Sequence, residues 1–352
     1  MQQPQPSHAH EASRKLLGSA ALILWGAISP SSRTDEAALN DWWTNEHLPE
    51  RLRLPGFRRA RRYRGLLAPP PSTLTATTCS VAMGGSLPEQ RGSEDGSKGK
   101  DNGEREGGDG DGYGDESESV YLAVYEVDNV TDLCSEEYMQ KLEEPTERTA
   151  WFMPRLAGMR RSACGVVESM DGGVGGLAGA GGEEGGGGGR VVGLMAFWMP
   201  LSRSSSTGEQ TAQRSEDASG LFSSIGDAVF PSGVEGSSKT KEGSPGLEIT
   251  ALHIAQEDEA ITQAGSSTKS YHGVRFSGQR QRAAGEAEQN RNEKRCIVLV
   301  EFDLRPPLEP LACMAGVMDS LRGRVEREGG REVKWWGFEW ICGMRREDVI
   351  AG

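Results

Sequence analysis

The apolar residues of this chain arrive in short runs, at 22–28, 120–127, 191–199, 247–255, 295–304 and 333–344. Each run is about as long as a strand, and none approaches the ~20 apolar residues that a membrane-spanning helix needs. Polar or glycine-rich sequence separates them. A chain patterned this way has to build its core from sheets, with the few amphipathic helices laid against them.

What lies between the runs limits the folded fraction. The chain has 48 glycines in 352 residues. Stretches such as 92–115 and 172–189 hold almost nothing that can be buried. Such sequence cannot offset the entropy of ordering it. The expected organisation is a disordered head at 1–15 and a first unit at 16–168, interrupted by a disordered insertion at about 67–118. A Gly-rich linker at 169–190 leads to a second unit at 191–352, with insertions at about 201–245 and 277–294.

The net charge of −13 argues against nucleic acid as a partner, because such domains carry a basic excess. Its acidic excess sits mostly in the low-complexity stretches and so bears on solubility. Six cysteines are scattered without a C-x-x-C pair, which points to reduced thiols and a cytoplasmic location. Arg14-Lys15 followed by the apolar run to Ser29 imitates a secretory signal, but the same residues serve as a first buried strand. No membrane partner, metal site or cofactor is expected. The glycine run at 172–189 lacks the Lys-Ser/Thr of a phosphate loop.

In the first unit the order is a strand at 22–28, a helix at 37–54 broken by Pro49, and strands at 57–64 and 120–127. A helix from 136 onward follows, broken near Pro145 and Pro154, and then a short strand at 162–168. The order β-α-β-β-α-β predicts an α+β, ferredoxin-like unit with an antiparallel sheet and both helices on one face. Strand alternation puts Phe57, Arg59, Arg61 and Tyr63 on one side. The second unit offers four strands and one helix, at 310–328, and reads as a degenerate copy without its first helix. A bare sheet face would expose a large apolar patch, so the two sheets are expected to pair. The result would be an α/β barrel with an internal pseudo-dimer in a monomeric chain. A homodimer of separate chains is the alternative.

The densest cluster of chemistry-bearing residues runs from Asp41 to Tyr63. It includes Trp42, Trp43, Glu46, His47, Pro49, Arg51, Leu52, then Pro55-Gly56-Phe57 and Arg61-Arg62-Tyr63. The string W-x-x-E-H-x-P-x-R-L-x-x-P-G-F, with the later Tyr121-Leu122-Ala123-Val124-Tyr125-Glu126, resembles EthD-like proteins of the dimeric α/β-barrel superfamily. That resemblance implies the ferredoxin-like barrel just described and a cleft near the first helix, between the open sheet face and neighbouring loops. It does not select a reaction, since the superfamily includes oxidoreductases, cyclases, isomerases, decarboxylases and proteins with no assigned reaction.

On the residues themselves, His47 is the best candidate for moving a proton near neutral pH. Trp43 and Arg51 each lie four positions from it and share its helix face. Glu46 is a second acid/base candidate, or a salt-bridge partner for Arg51 or the arginines of 58–64. Arg61, Tyr63 and Tyr125 are candidates for holding an anionic or phenolic group, or else fill the barrel. Two readings stand. One is a cofactor-independent enzyme acting by proton transfer on a small hydrophobic, aromatic or polyketide-like compound. The other is a non-catalytic ligand-binding or protein-interaction module, and a haem-dependent relative is a third, weaker one.

Overall fold

Each of the apolar runs forms a strand, and the strands close on one another. The computed structural model describes residues 14–66, 120–171, 190–200, 216–229, 247–274, 276, 293–304 and 309–351. Most of the head, the 67–118 insertion, the glycine linker and most of the later insertions lie outside the described residues. The strands are β1 (Ala20–Ile28), β2 (Phe57–Gly65), β3 (Val120–Val127), β4 (Leu156–Asp171), β5 (Arg190–Pro200), β6 (Leu247–Glu257), β7 (Glu293–Leu304) and β8 (Arg331–Arg345). They form a closed antiparallel barrel in the order β1-β3-β2-β8-β5-β7-β6-β4. In each half of the chain the strands stand in the same sequence: fourth, first, third, second. The halves are stitched by β2–β8 and β4–β6, so no strand edge is left open.

Three packed clusters follow from strand alternation. Side chains on the outer face of the first half meet helices in one cluster, and those of the second half meet helices in another. The third fills the lumen, with Ile23, Trp25, Leu122, Val124, Leu194 and Leu299 among its members. Trp25 and Trp336 lie 5.7 Å apart there. The run at 22–28 that imitated a secretory signal is the fully buried β1, paired to β3 on one side and β4 on the other.

The first-half helices are α1 (Glu36–Trp42), α2 (Leu48–Leu52), α3 (Glu136–Glu143) and α4 (Glu147–Phe152). Ser135 caps α3 and Thr146 caps α4, each side chain accepting a backbone N–H of the first turn. Between α1 and α2 runs a wide π turn, Trp43–His47, in which the Leu48 N–H donates to the Trp43 carbonyl. Pro49, which has no N–H to give, sits just past this turn. The chain therefore passes Pro49 by widening one turn, with no break.

The second half carries α5 (Glu216–Val229), α6 (Glu259–Ser266), α7 (Pro310–Arg327) and the short α8 (Arg346–Ile350). A helix between β5 and β6 was not expected. The stretch holding it is rich in Ser, Gly and acidic residues, and its apolar signal reduces to Phe222, Ile225 and Val229, spaced three and four apart. The helix packs against α7.

Strand β2 also differs from simple alternation. The register slips between Phe57 and Arg59, so Phe57 joins the helix-side cluster while Arg59, Arg61 and Tyr63 turn into the lumen. There Glu126, fully buried, takes Arg59 Nε at 2.8 Å and Arg61 Nε at 2.9 Å. Arg61 reaches on to Glu301 of the second half, which also contacts His253 Nε2 at 2.9 Å. The segment before β1 seals this end. Leu17 N–H donates to Glu126 at 2.7 Å, Leu16 N–H donates to Ser169, and Arg14 pairs with Asp303.

Glu126→Ala would take from the buried Arg59 and Arg61 the carboxylate they share, and removing one member of such a cluster costs about 3–5 kcal/mol. A urea titration should show that loss. Burial alone would raise the pKa of Glu301, but Arg61 and His253 outweigh it and hold the carboxyl far below the usual carboxylate range. Its stabilising contribution is thus fully present above pH ~4.3, the ordinary Glu value, and is lost as pH falls from there toward its native value. Denaturation midpoints of the wild type should therefore drop more steeply between pH 5 and pH 3, on the order of the acid range, than those of Glu301→Gln.

Candidate functional site

The π turn determines where the histidine goes. In a regular helix residues four apart share a face, which would set Trp43 over His47. In the wider turn it is Trp42 that packs on the imidazole, with ring centroids 4.8 Å apart. His47 then points inward, between the helices and the outer face of the β1–β3–β4 sheet. It lines a cavity with Trp43, Arg51, Tyr125, Tyr138 and Tyr271. Leu22, Leu24, Leu156, Met153 and Met159 complete the lining. The cavity measures about 20 Å³, room for one water molecule.

Several polar atoms here lack partners. His47 Nδ1, Arg51 Nη1, the Tyr125 hydroxyl and the Trp43 indole N–H are all buried without a hydrogen bond. The Trp43 N–H and the Tyr125 hydroxyl face one another without reaching good geometry. Buried polar groups in folded proteins are nearly always paired, so these orphans around one cavity make it the candidate site. Burial, followed by the charges of Arg51 and Arg62, lowers the His47 pKa well below the ordinary imidazole value. Its ring is neutral at physiological pH and has a free lone pair. Burial likewise raises the pKa of the Tyr125 phenol, and that of Tyr271 to about 12, so both stay protonated and able to donate.

Of the residues singled out from sequence, Trp43, His47, Arg51 and Tyr125 come together around this cavity. Arg61 and Tyr63 do not. Cross-strand pairing places Tyr125 opposite Ala60 and Arg61 opposite Val124, so Tyr125 faces the helices while Arg61 and Tyr63 face the lumen. Arg61 is occupied by its two carboxylates, and Tyr63 packs edge-on against Trp340 at 5.4 Å. The lumen end near Tyr63 has a still smaller cavity, shared with Arg14, Arg190 and Glu301. The cavity at His47 thus lies beneath the helices and not, as expected, on the open sheet face that became the barrel interior.

Glu46 turns away from the cavity. It accepts from Thr146 Oγ1 at 3.0 Å and from Arg148 Nη1 at 3.1 Å, and the same Arg148 holds Asp41 at 2.9 Å. Its partner is α4 and not Arg51 or β2. This bridge fastens the π turn to α4.

Two tyrosines escaped the sequence reading. Tyr138 lies on the buried face of α3, four residues before Leu142, a spacing that was legible but unremarkable. Tyr271 comes from the second half, in a short turn after α6 that has no periodicity to betray it. Arg161 ties both to the site. It donates to the Thr262 carbonyl at 2.9 Å and to the Tyr138 hydroxyl at 3.4 Å, and its guanidinium lies 5.9 Å from the Tyr271 ring. The corresponding layer of the second half is filled by Met195, Phe222, Ile254, Met314 and Met318.

Among the described residues no group of three or more His, Cys, Asp and Glu is placed to hold a metal ion. No helix among them is long and apolar enough to cross a membrane. A proton NMR titration should find no His47 step at the ordinary imidazole value near pH 6.5, with the signal assigned by its loss in His47→Gln. A His47 step at that pH would mean that the ring is solvated.

No protein-family model matches the chain, and no curated protein matches it. Solved structures with similar chain courses include an anthrone oxidase-like protein, 10% identical, with a TM-score of 0.41 and coverage of 93% of this chain and 94% of the other. Another is a candidate monooxygenase from Fusobacterium nucleatum subsp. nucleatum, 6% identical, with a TM-score of 0.39 and coverage of 94% and 96%.

Proposed function

We propose that the cavity under the first-half helices is the active site of a cofactor-independent enzyme that moves protons on a small hydrophobic, aromatic compound. We infer with it that each half of the barrel is a ferredoxin-like unit, the first of EthD-like type, and that only the first kept a site. The observation that carries the reading is the neutral His47 ring, with Nδ1 unpaired at a cavity whose other walls are aromatic and aliphatic.

The chemistry this arrangement serves is proton abstraction next to a carbonyl. The Nδ1 lone pair takes the C–H proton, the C–H electrons shift into the carbonyl, and the resulting enolate oxygen carries the negative charge. Arg51 and the Tyr125 hydroxyl stand where they can stabilise that oxygen. The imidazolium then returns a proton to the same or a neighbouring carbon. Desolvation strengthens each of these interactions. A ring-sized ligand needs more room than one water occupies. Met153 and Met159, unbranched and adaptable, are the side chains that would yield.

The test is deuterium uptake at the α-carbons of 2-tetralone, followed by NMR. The wild type should accelerate exchange, and His47→Gln should lower the catalysed rate by about a hundredfold or more, the usual worth of a general base. Equal exchange by the two proteins would refute the assignment. Binding of the ketone without exchange would favour a ligand-binding module instead.

A further inference from the structure

Arg51 sets the chemical class of the ligand, an inference that rests on the cavity reading above. Burying a guanidinium is costly unless acceptors meet it. Arg59, Arg61, Arg62 and Arg161, also deeply buried, each meet acceptors with part of the guanidinium, although Arg61, Arg62 and Arg161 also leave a buried N–H unpaired. Arg59 and Arg61 meet Glu126. Arg62 donates to Asn40 and to Thr44 Oγ1 and lies between the rings of Trp43 and Tyr121. Arg161 donates to the carbonyls of α6.

Arg51 is only 3% exposed, its Nη1 has no partner, and its guanidinium lies 5.7 Å from the Tyr138 ring. No carboxylate pairs with it among the described residues. The two acids nearest in sequence face elsewhere, Glu46 to Arg148 and Glu50 to Lys141. The positive charges of Arg51 and Arg62 that act on His47 therefore leave the cavity electropositive, with two protonated phenols, Tyr125 and Tyr271, as additional donors.

We propose that the ligand carries an ionised oxygen, a carboxylate or phenolate on a flat ring, and that Arg51 is its counter-ion. Tyr271 of the second half closes over the same group and acts as a selectivity residue. The site is then incomplete without the second half, although every other polar group in it comes from the first. Arg161 positions Tyr271 by holding the α6 segment against β4.

Benzoate and its neutral isostere benzamide separate charge from shape. Calorimetric titration of the full chain should give benzoate at least about tenfold tighter binding than benzamide. Binding of either should shift the His47 ring signals. Arg51→Met should remove the preference for benzoate, Arg51→Lys should keep part of it, and Tyr271→Phe should weaken benzoate more than benzamide. Thermal unfolding of each variant checks that it folds, and Arg51→Lys keeps the test open if Arg51→Met does not.

Benzamide binding as tightly as benzoate, with His47 shifted by both, would overturn the charge inference and leave the cavity reading standing. Benzoate binding that leaves His47 unmoved would overturn the inference as an adventitious surface contact. No binding of either ligand would overturn both readings. A phenolate preference is resolved by repeating the titration with 4-nitrophenol across its ionisation: affinity rising as the phenol ionises supports the inference, and affinity unchanged by ionisation counts against it.

Discussion

Arg61 is the point at which the two halves of this molecule become one. Its guanidinium lies between Glu126 of the first half and Glu301 of the second, inside a lumen otherwise packed with aliphatic and aromatic side chains. Charges so buried persist only if each finds its partner, and here the partners sit on opposite walls. The cluster therefore requires the barrel to be closed, and closed in this register. The segment at 14–17 adds its backbone to the same carboxylate and seals that end. With the lumen packed, the cavity at His47 lies in the layer between sheet and helices.

That layer is shaped by a local irregularity. Pro49 cannot supply the hydrogen bond a regular helix asks for, and the chain answers with a π turn. The turn swings His47 onto Trp42 and into the sheet-facing layer, beside Arg51 one turn further on. Glu46, its neighbour, is left on the outside, where Arg148 uses it to pin α4. A single widened turn thus divides two adjacent ionisable residues between the cavity and the outer surface.

The strands could be read from the sequence because their apolar runs match strand length, and His47, Trp43 and Arg51 could be grouped by helical spacing. What could not be read depends on contacts distant in sequence. Arg61 and Tyr63 carry the same residue types as a binding site, and only the register slip after Phe57 and the pairing of Tyr125 with Ala60 show that they face away from His47. Helix α5 was missed because Ser, Gly and acidic residues dilute its few apolar positions. Tyr271 gave no local signal at all, since its place at the cavity is fixed by how Arg161 grips α6.

The unequal filling of the two helix–sheet layers has a consequence for how the molecule can change. Where a barrel is assembled from two identical chains, any substitution is made twice and both cavities alter together. Here the Met195, Met314 and Met318 layer has become a permanent buttress, and the His47 layer varies by itself. Tyr271 can be lent across the seam with no residue owed in return. On the proposed reading, ligand occupancy is one event per chain, graded and without cooperativity between twin sites.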